Sequence, residues 1–302
     1  MGKGLLDIES LARSDAEAIL ERARFFQPPP GQPYARHNLL QGRSIVNLFF
    51  EASTRTRTSF EIAGRRLGGE IISITASASS VSKGESLVDT LNTLGAMRPD
   101  AIVMRHSASG APHFLSRYLP IPIVNAGDGT HEHPTQALLD ALTILDRRKS
   151  LEGLRVAIIG DIAHSRVARS NIFLLSKFGA QVVLCGPASL LPREMAQIVP
   201  GVELTTDMEK AIAGVDVIMM LRVQLERQHE AAFPANEYFR FFGLRVEHMQ
   251  LASPDVIVMH PGPMNRGQEI SSEVADSQRS AILNQVGNGI AVRMAVLERV
   301  FT

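Results

Sequence analysis

The feature that most constrains the fold is an alternation, present in both halves of the chain, of short apolar runs with longer segments of helical periodicity. Strands that are apolar throughout are typical of parallel sheets whose two faces are covered by helices. The predicted strands of the first half are 44–50, 71–75, 101–105 and 121–125. Those of the second half are 154–160, 182–185, 215–220 and 256–260. We therefore predict an α/β protein.

Length and the restart of the pattern near residue 154 together predict two domains, because 302 residues correspond to about 150 per domain. Each domain is expected to be a mostly parallel sheet flanked by helices. We predict that residues 1–136 and 286–302 form the first domain and that residues 137–285 form the second. The final predicted helix, 277–301, is long enough to pack back on the first domain.

Helical patterns between the strands of the first half predict helices over 53–67, 84–97 and 134–148. Before the first strand, Ser14 and Glu17 have the spacing of a capping box, which predicts a helix from there to Phe26.

Composition excludes several classes of protein. Lys+Arg and Asp+Glu are both 31, so the chain is formally neutral and a poor candidate for non-specific binding to nucleic acid or an anionic membrane. The single cysteine, Cys185, excludes an intrachain disulfide and a cysteine-built zinc site. The start has neither the apolar core nor the cleavage site of a signal peptide, and no apolar run approaches membrane-spanning length. We expect a cytoplasmic protein.

Hydroxyl side chains and arginines are interleaved from Ser53 to Thr58, where a predicted strand ends and a helix begins. Ligands of open α/β sheets bind at such junctions, and the free N–H groups and dipole of a helix N-terminus favour anions. Hydroxyls, N–H groups and forked guanidinium groups suit a phosphate. The alternative is an ordinary N-cap beside two surface arginines. The segment lacks the spacing of a Walker A loop.

A similar junction follows the first strand of the second half. There Ser165 and Arg166 precede a helix, after Gly160. The dinucleotide-binding fingerprint needs two further glycines, and Ile162 and Ser165 stand in their places. A nicotinamide cofactor is therefore not expected.

His131 and His133 lie at a third strand–loop–helix junction. They could ligate a metal, although no second cluster with ligand spacing is obvious. His133 could instead be a packed core histidine. The interpretation that we favour has one imidazole and Gln136 donating hydrogen bonds to a substrate carbonyl or amide.

Three other segments carry candidate groups. Lys83 ends a small, polar loop and could approach a bound anion, or it could be solvated. Arg222 and Gln224 follow a strand and could converge on a carboxylate, or they could belong to a charged surface. The turn containing Gly262 and Pro263 offers carbonyl acceptors, which suit a ligand amino group, or it could be only a tight turn.

Together these segments resemble the aspartate/ornithine carbamoyltransferase family over nearly the whole chain. The matching segments, in order, are 49–60, 81–85, 104–106, 129–136, 160–171, 222–227, 260–263 and 287–290. The resemblance implies that the first domain binds carbamoyl phosphate and the second binds L-aspartate. The implied products are N-carbamoyl-L-aspartate and phosphate, in an early step of de novo pyrimidine biosynthesis.

Residue roles carried over from the family follow the matching motifs. The residues implied to hold the phosphate are Ser53, Thr54, Arg55 and Thr56. Those implied to face the carbamoyl group are Thr56, Arg105 and His133 at its oxygen, Gln136 near its amide, and the backbone of Gly262 and Pro263 at its nitrogen. Those implied to bind the aspartate carboxylates are Arg166, Arg222 and Gln224. Ser79 and Lys83 would enter the active site of a neighbouring subunit.

The resemblance also implies an assembly, and two alternative functions remain open. It implies a homotrimer with shared active sites, with regulatory chains or dihydroorotase as further possible partners, and no cofactor or metal. The ornithine-specific relatives are the nearest alternative, but they have His-Cys-Leu-Pro where this chain has Pro261 after His260. A non-catalytic phosphate-binding module is another alternative, although such a module needs no second anion site.

Overall fold

The computed structural model describes residues 4–75, 87–223 and 235–302 of the chain. The chain divides into two compact units. The first unit comprises Met1–Leu139 and Gly287–Thr302, and the second comprises Asp140–Val286.

The first unit contains a parallel sheet of four strands in the order β2-β1-β3-β4. Its strands are β1 (Ser44–Phe49), β2 (Glu70–Thr75), β3 (Ala101–His106) and β4 (Ile123–Asp128). Its helices are α1 (Arg13–Phe26), α2 (Thr54–Arg66), α3 (Leu87–Met97), α4 (Ala111–Tyr118) and the start of α5 (Pro134–Leu145).

The second unit contains a parallel sheet of five strands in the order β7-β6-β5-β8-β9. Its strands are β5 (Arg155–Ile159), β6 (Gln181–Cys185), β7 (Glu203–Thr205), β8 (Val217–Met220) and β9 (Ile257–Met259). Its helices are α6 (Arg166–Lys177), α7 (Met208–Ile212), α8 (Ala235–Phe242), α9 (Ser272–Ala275) and the start of α10 (Ile282–Arg299). The predicted α/β architecture with two parallel sheets is confirmed.

Burial along the strands follows their position in the sheet. Every residue of β4 is buried, and β1 and β3 are buried except at one end residue each, as expected of strands covered on both faces. β2 pairs only with β1 and is largely exposed, with Ile72 at 52%. The apolar sequence predicted a strand there but did not indicate that it lies at the edge of the sheet.

The C-terminal helix packs on the first unit, as predicted. Arg293 donates to the Ser59 hydroxyl over 2.9 Å, and Arg22 and Glu298 form an ion pair at 2.6 Å. The predicted start of this helix at residue 277 is wrong, since α10 begins at Ile282. The backbone N–H of Ala281 donates to the carbonyl of Val258 in β9, so the residues just before α10 are held in an extended bridge.

The predicted capping box of α1 is also wrong. Ala12 occupies the N-cap position, and no side chain caps the helix. Glu17 accepts instead from the Arg13 guanidinium at 2.8 Å, within the first turns of the helix. Sequence patterns also missed α4, whose start after Gly110 (φ 83°) carries a proline in its first turn. Among the described residues, no helix is both long and apolar enough to cross a bilayer.

Candidate functional site

The N-terminus of α2 has the properties of an anion site. Ser53 is its N-cap residue, yet the Ser53 side chain makes no capping hydrogen bond, and no acidic residue lies in the first turn. The first N–H groups of a helix have no partner within it, and the helix dipole favours negative charge there. Thr54 and Arg55 are exposed and Thr56 is buried. Hydroxyls, N–H groups and a guanidinium are therefore grouped at the carboxyl end of β1.

The N-terminus of α6 in the second unit differs in one respect. Ser165 is its N-cap residue, and the Ser165 hydroxyl accepts from the backbone N–H of Ala168 over 3.1 Å. That bond satisfies one of the donors that an anion would use. Arg166, the first residue of α6, is 7% exposed. The two junctions look alike in sequence, but only α6 is capped by the side chain of its N-cap residue.

Arg105 is the last residue but one of β3 and lies beside the segment that leads into α2. It is in register with Phe49 of β1, and its guanidinium donates to Glu51 over 2.7 Å and to the Ala126 carbonyl over 3.3 Å. Arg105 is 9% exposed, so this pairing fixes a buried positive charge at the edge of the sheet. The sequence analysis missed Glu51, although its place just before Ser53 was a usable signal.

His133 and Gln136 follow β4, at the start of α5. Both side chains are buried. The backbone N–H of Gln136 donates to the backbone carbonyl of His133 over 2.9 Å. β4 pairs with β3, which pairs with β1. Because all these strands are parallel, those predicted site residues of the first unit that the structure describes lie along one carboxyl edge of one sheet.

The second unit groups its predicted residues in the same way. Arg166 follows β5, Arg222 follows β8, and Gly262 and Pro263 follow β9. These three strands are neighbours in the sheet, so the residues share its carboxyl edge. The remaining predicted site residues, Ser79, Lys83 and Gln224, lie outside the residues that the structure describes.

Glu269 is a buried carboxylate that the sequence analysis missed. One oxygen accepts from the backbone N–H of Val223 at 3.1 Å and from the Asn265 amide at 2.9 Å. The other oxygen accepts from the Asn265 N–H at 2.7 Å. Burial raises the pKa of Glu269, although these hydrogen bonds oppose the shift. Glu269 thereby ties the residue after Arg222 to the turn that contains Pro263.

The surroundings of Cys185 and His131 show what these two side chains can do chemically. Cys185 is buried in β6, and burial raises its pKa to about 12, so it is not an activated nucleophile. His131 contacts Asp128 and the His113 ring, rather than forming a metal-ligand set with His133 among the described residues.

Comparison with known proteins gives one family for both units. The family model described as aspartate/ornithine carbamoyltransferase, carbamoyl-P binding domain, matches residues 3–146. The model described as the Asp/Orn binding domain of the same family matches residues 152–300.

Relatives and solved structures agree with these matches. The aspartate carbamoyltransferase catalytic subunit of Solibacter usitatus (strain Ellin6076) is 76% identical over 300 residues, covering 99% of each chain. Aspartate transcarbamoylase from Trypanosoma cruzi, solved with carbamoyl aspartate and phosphate, is 35% identical with a TM-score of 0.88, covering 99% of this chain and 96% of that one. Ornithine carbamoyltransferase from Pyrococcus furiosus is 30% identical with a TM-score of 0.86, covering 98% and 96%. The chain belongs to the aspartate/ornithine carbamoyltransferase family.

Proposed function

We propose that the protein is an aspartate carbamoyltransferase, which transfers the carbamoyl group of carbamoyl phosphate to the amine of L-aspartate. The observation that carries the proposal is the uncapped N-terminus of α2, which begins at Thr54 directly after Ser53 and includes Arg55 and Thr56. The buried Arg105 lies near the carboxyl end of the neighbouring strand β3. The relative at 76% identity has the same activity in its name. The reaction would serve de novo pyrimidine biosynthesis in the cytoplasm.

Charge supports this pair of substrates. Carbamoyl phosphate carries about two negative charges near neutrality, as phosphate monoesters do, and aspartate has two carboxylates. The positive side chains that we assign to them are Arg55, Lys83, Arg105, Arg166 and Arg222. We assign the carbamoyl phosphate site to the first unit and the aspartate site to the second.

The chemical step is attack of the neutral aspartate amine on the carbamoyl carbon. The carbon–oxygen bond to phosphate then breaks, and the proton released by the nitrogen passes to the departing phosphate. In the tetrahedral transition state the carbonyl oxygen gains negative charge, so donors placed at that oxygen bind the transition state more strongly than the substrate. We assign these donors to Thr56, Arg105 and His133. Gln136 and the carbonyls of Gly262 and Pro263 would hold the carbamoyl nitrogen. The ion pair with Glu51 keeps the Arg105 guanidinium oriented before substrate arrives.

The amine substrate separates this proposal from its alternatives. The ornithine enzyme from Pyrococcus furiosus has nearly the same fold, so the fold does not choose the substrate. Arg222 suits a second carboxylate, whereas ornithine would present an ammonium group. A colorimetric assay of carbamoyl product should show turnover with aspartate and none with ornithine or without amine. Turnover with ornithine alone would contradict the proposal, and no turnover with either amine would favour a binding module.

We further propose a homotrimer in which Ser79 and Lys83 act in the neighbouring subunit's site, with regulatory chains or dihydroorotase as possible further partners. The exposed edge strand β2 supports an interface at this part of the chain. An exposed apolar edge strand is prone to pairing or coverage by another chain, and Ile72 is 52% exposed. β2 ends at Thr75, only a few residues before Ser79.

A mixing experiment tests the shared site. Arg55→Ala and Lys83→Ala chains should each turn over far more slowly than the parent, and exchange of subunits between them should restore part of the activity. A mixed trimer would place an intact Arg55 and an intact Lys83 in one site. Mixing Arg55→Ala with Arg222→Ala, assayed at aspartate concentrations well below the raised KM of Arg222→Ala, is the matched control. Both residues are assigned to the same chain's site, so this mixture should show no more than the sum of the two residual activities. Absence of recovery in the first mixture, after exchange is verified by mass, would overturn the shared site.

Glu269→Gln should raise the KM for aspartate about tenfold and change the KM for carbamoyl phosphate little. An amide supplies one acceptor oxygen where the carboxylate has two, so one buried N–H would lose its partner, at a cost of about 1–3 kcal/mol. The backbone at Val223, next to Arg222, would then be held less firmly. Steady-state kinetics measures both constants. The exposed Glu273→Gln is the control, and an unchanged aspartate KM in a folded Glu269→Gln enzyme would contradict the positioning role.

A further inference from the structure

A cluster of two histidines and two carboxylates lies in the first unit, and none of its members is assigned to a substrate. His113 is on α4, Asp128 ends β4, and His131 lies in the loop after β4. One nitrogen from each histidine and one oxygen from Asp128 lie within 4.8 Å of one another. Asp7, from the N-terminal segment, contacts His113.

Part of the cluster already has the spacing of a ligand set. The Nδ1 atom of His131 lies 3.1 and 3.2 Å from the two carboxylate oxygens of Asp128. Ligands around a tetrahedral Zn²⁺, with bonds of about 2.0–2.2 Å, lie about 3.3 Å apart. The Asp128 carboxylate is held in place by the backbone N–H of Gly110 at 2.7 Å and the Asn125 amide at 2.8 Å. A cation could therefore replace the proton shared between His131 and Asp128 with little rearrangement.

His113 is oriented as a metal-ligating histidine commonly is. Its Nε2 atom is 2.7 Å from a carboxylate oxygen of Asp7, and Asp7 is itself fixed by the backbone N–H of Ser10 at 2.6 Å. A carboxylate on one ring nitrogen orients the ring and makes the other nitrogen a better ligand. That other nitrogen, Nδ1, is buried and has no hydrogen-bond partner among the described protein atoms. The Nδ1 atom of His113 is therefore available as a ligand.

From this geometry we infer that His113, Asp128 and His131 bind a divalent transition-metal ion of the Zn²⁺ class, with Asp7 orienting His113. Two imidazoles and one carboxylate are a donor set that zinc accepts, and the fourth position is left for water. The carboxylates of Asp7 and Asp128 balance the charge of a divalent ion. The site would join the N-terminal segment, α4 and the loop that leads to His133, and its role would be structural.

Cobalt is a suitable probe because Co²⁺ occupies zinc sites and its visible absorption reports coordination. Full-length protein, dialysed against chelator, should bind one Co²⁺ per chain with the intense visible bands of four- or five-coordinate cobalt. Added Zn²⁺ should remove these bands and raise the unfolding temperature. Weak bands typical of a six-coordinate aqueous ion, or no saturation, would overturn the site, and this measurement needs no variant.

Variants then assign the ligands. His113→Ala should abolish the cobalt bands, and Asp7→Asn should weaken Co²⁺ binding about 10- to 100-fold, as expected for a group that orients a ligand. His37→Ala removes another histidine of the first unit and should leave the bands unchanged. Circular dichroism of each variant without metal checks its folding. Bands that survive in His113→Ala, or that are lost in His37→Ala, would contradict the assignment.

Discussion

Arg55→Ala should lower kcat by about 10²–10³-fold while leaving the fold intact. The residue is exposed at the N-terminus of α2, so its removal costs little packing. Its guanidinium is assigned to the phosphate, whose negative charge must be held as it leaves. Losing one group that stabilises transition-state charge typically costs this factor in turnover. Steady-state rates with aspartate in excess measure the effect.

Arg57→Ala is the matched control for that prediction. Arg57 lies on the same helix, two residues further on, and pairs with Glu61 at 3.6 Å. Partly exposed pairs at this distance contribute little to stability, so the variant should fold and turn over nearly as the parent does. Near-normal turnover of Arg55→Ala, or an equal loss in both variants, would refute the assignment of Arg55 to the phosphate.

Arg222→Ala should chiefly raise the KM for aspartate, by roughly 10- to 100-fold. A hydrogen bond to a charged group contributes about 1.5–3 kcal/mol, and Arg222 is assigned to a carboxylate that is present in both the bound substrate and the transition state. Removal of such uniform binding raises KM more than it lowers kcat. Initial rates over a range of aspartate concentrations, at saturating carbamoyl phosphate, give both constants.

The control for Arg222 is Arg193→Ala, an exposed arginine of the same unit. It should leave the aspartate KM unchanged. An effect of Arg222→Ala confined to the KM for carbamoyl phosphate would place Arg222 at the wrong substrate and contradict the aspartate site.

Local sequence patterns predicted the strands and the junctions well because both depend on neighbouring residues. β1 and α2 were predicted with their ends nearly in place, since a buried parallel strand is apolar and a run of hydroxyl residues favours a helix start. The same reasoning failed at Ser14, since α1 begins at Arg13 after the N-cap residue Ala12 and Ser14 lies inside its first turn.

Contacts between distant parts of the chain could not be predicted in this way. The ion pair of Arg105 with Glu51 depends on the parallel pairing of β1 and β3, which sequence periodicity does not specify. The bond from Val223 to Glu269 joins residues 46 positions apart. Sequence spacing pairs His131 with His133 as candidate ligands, whereas the structure places His113 of α4 beside His131. Each of these contacts joins residues that are far apart in sequence, so local patterns do not predict it.

We expect phosphate to bind at the N-terminus of α2 and not at the similar N-terminus of α6. Diffraction from crystals soaked with carbamoyl phosphate tests this most directly. The phosphate group should lie within hydrogen-bonding distance of the Ser53, Thr54 and Thr56 hydroxyls and of the Arg55 guanidinium. Phosphate density at Ser165 and Arg166, with none at α2, would contradict the account.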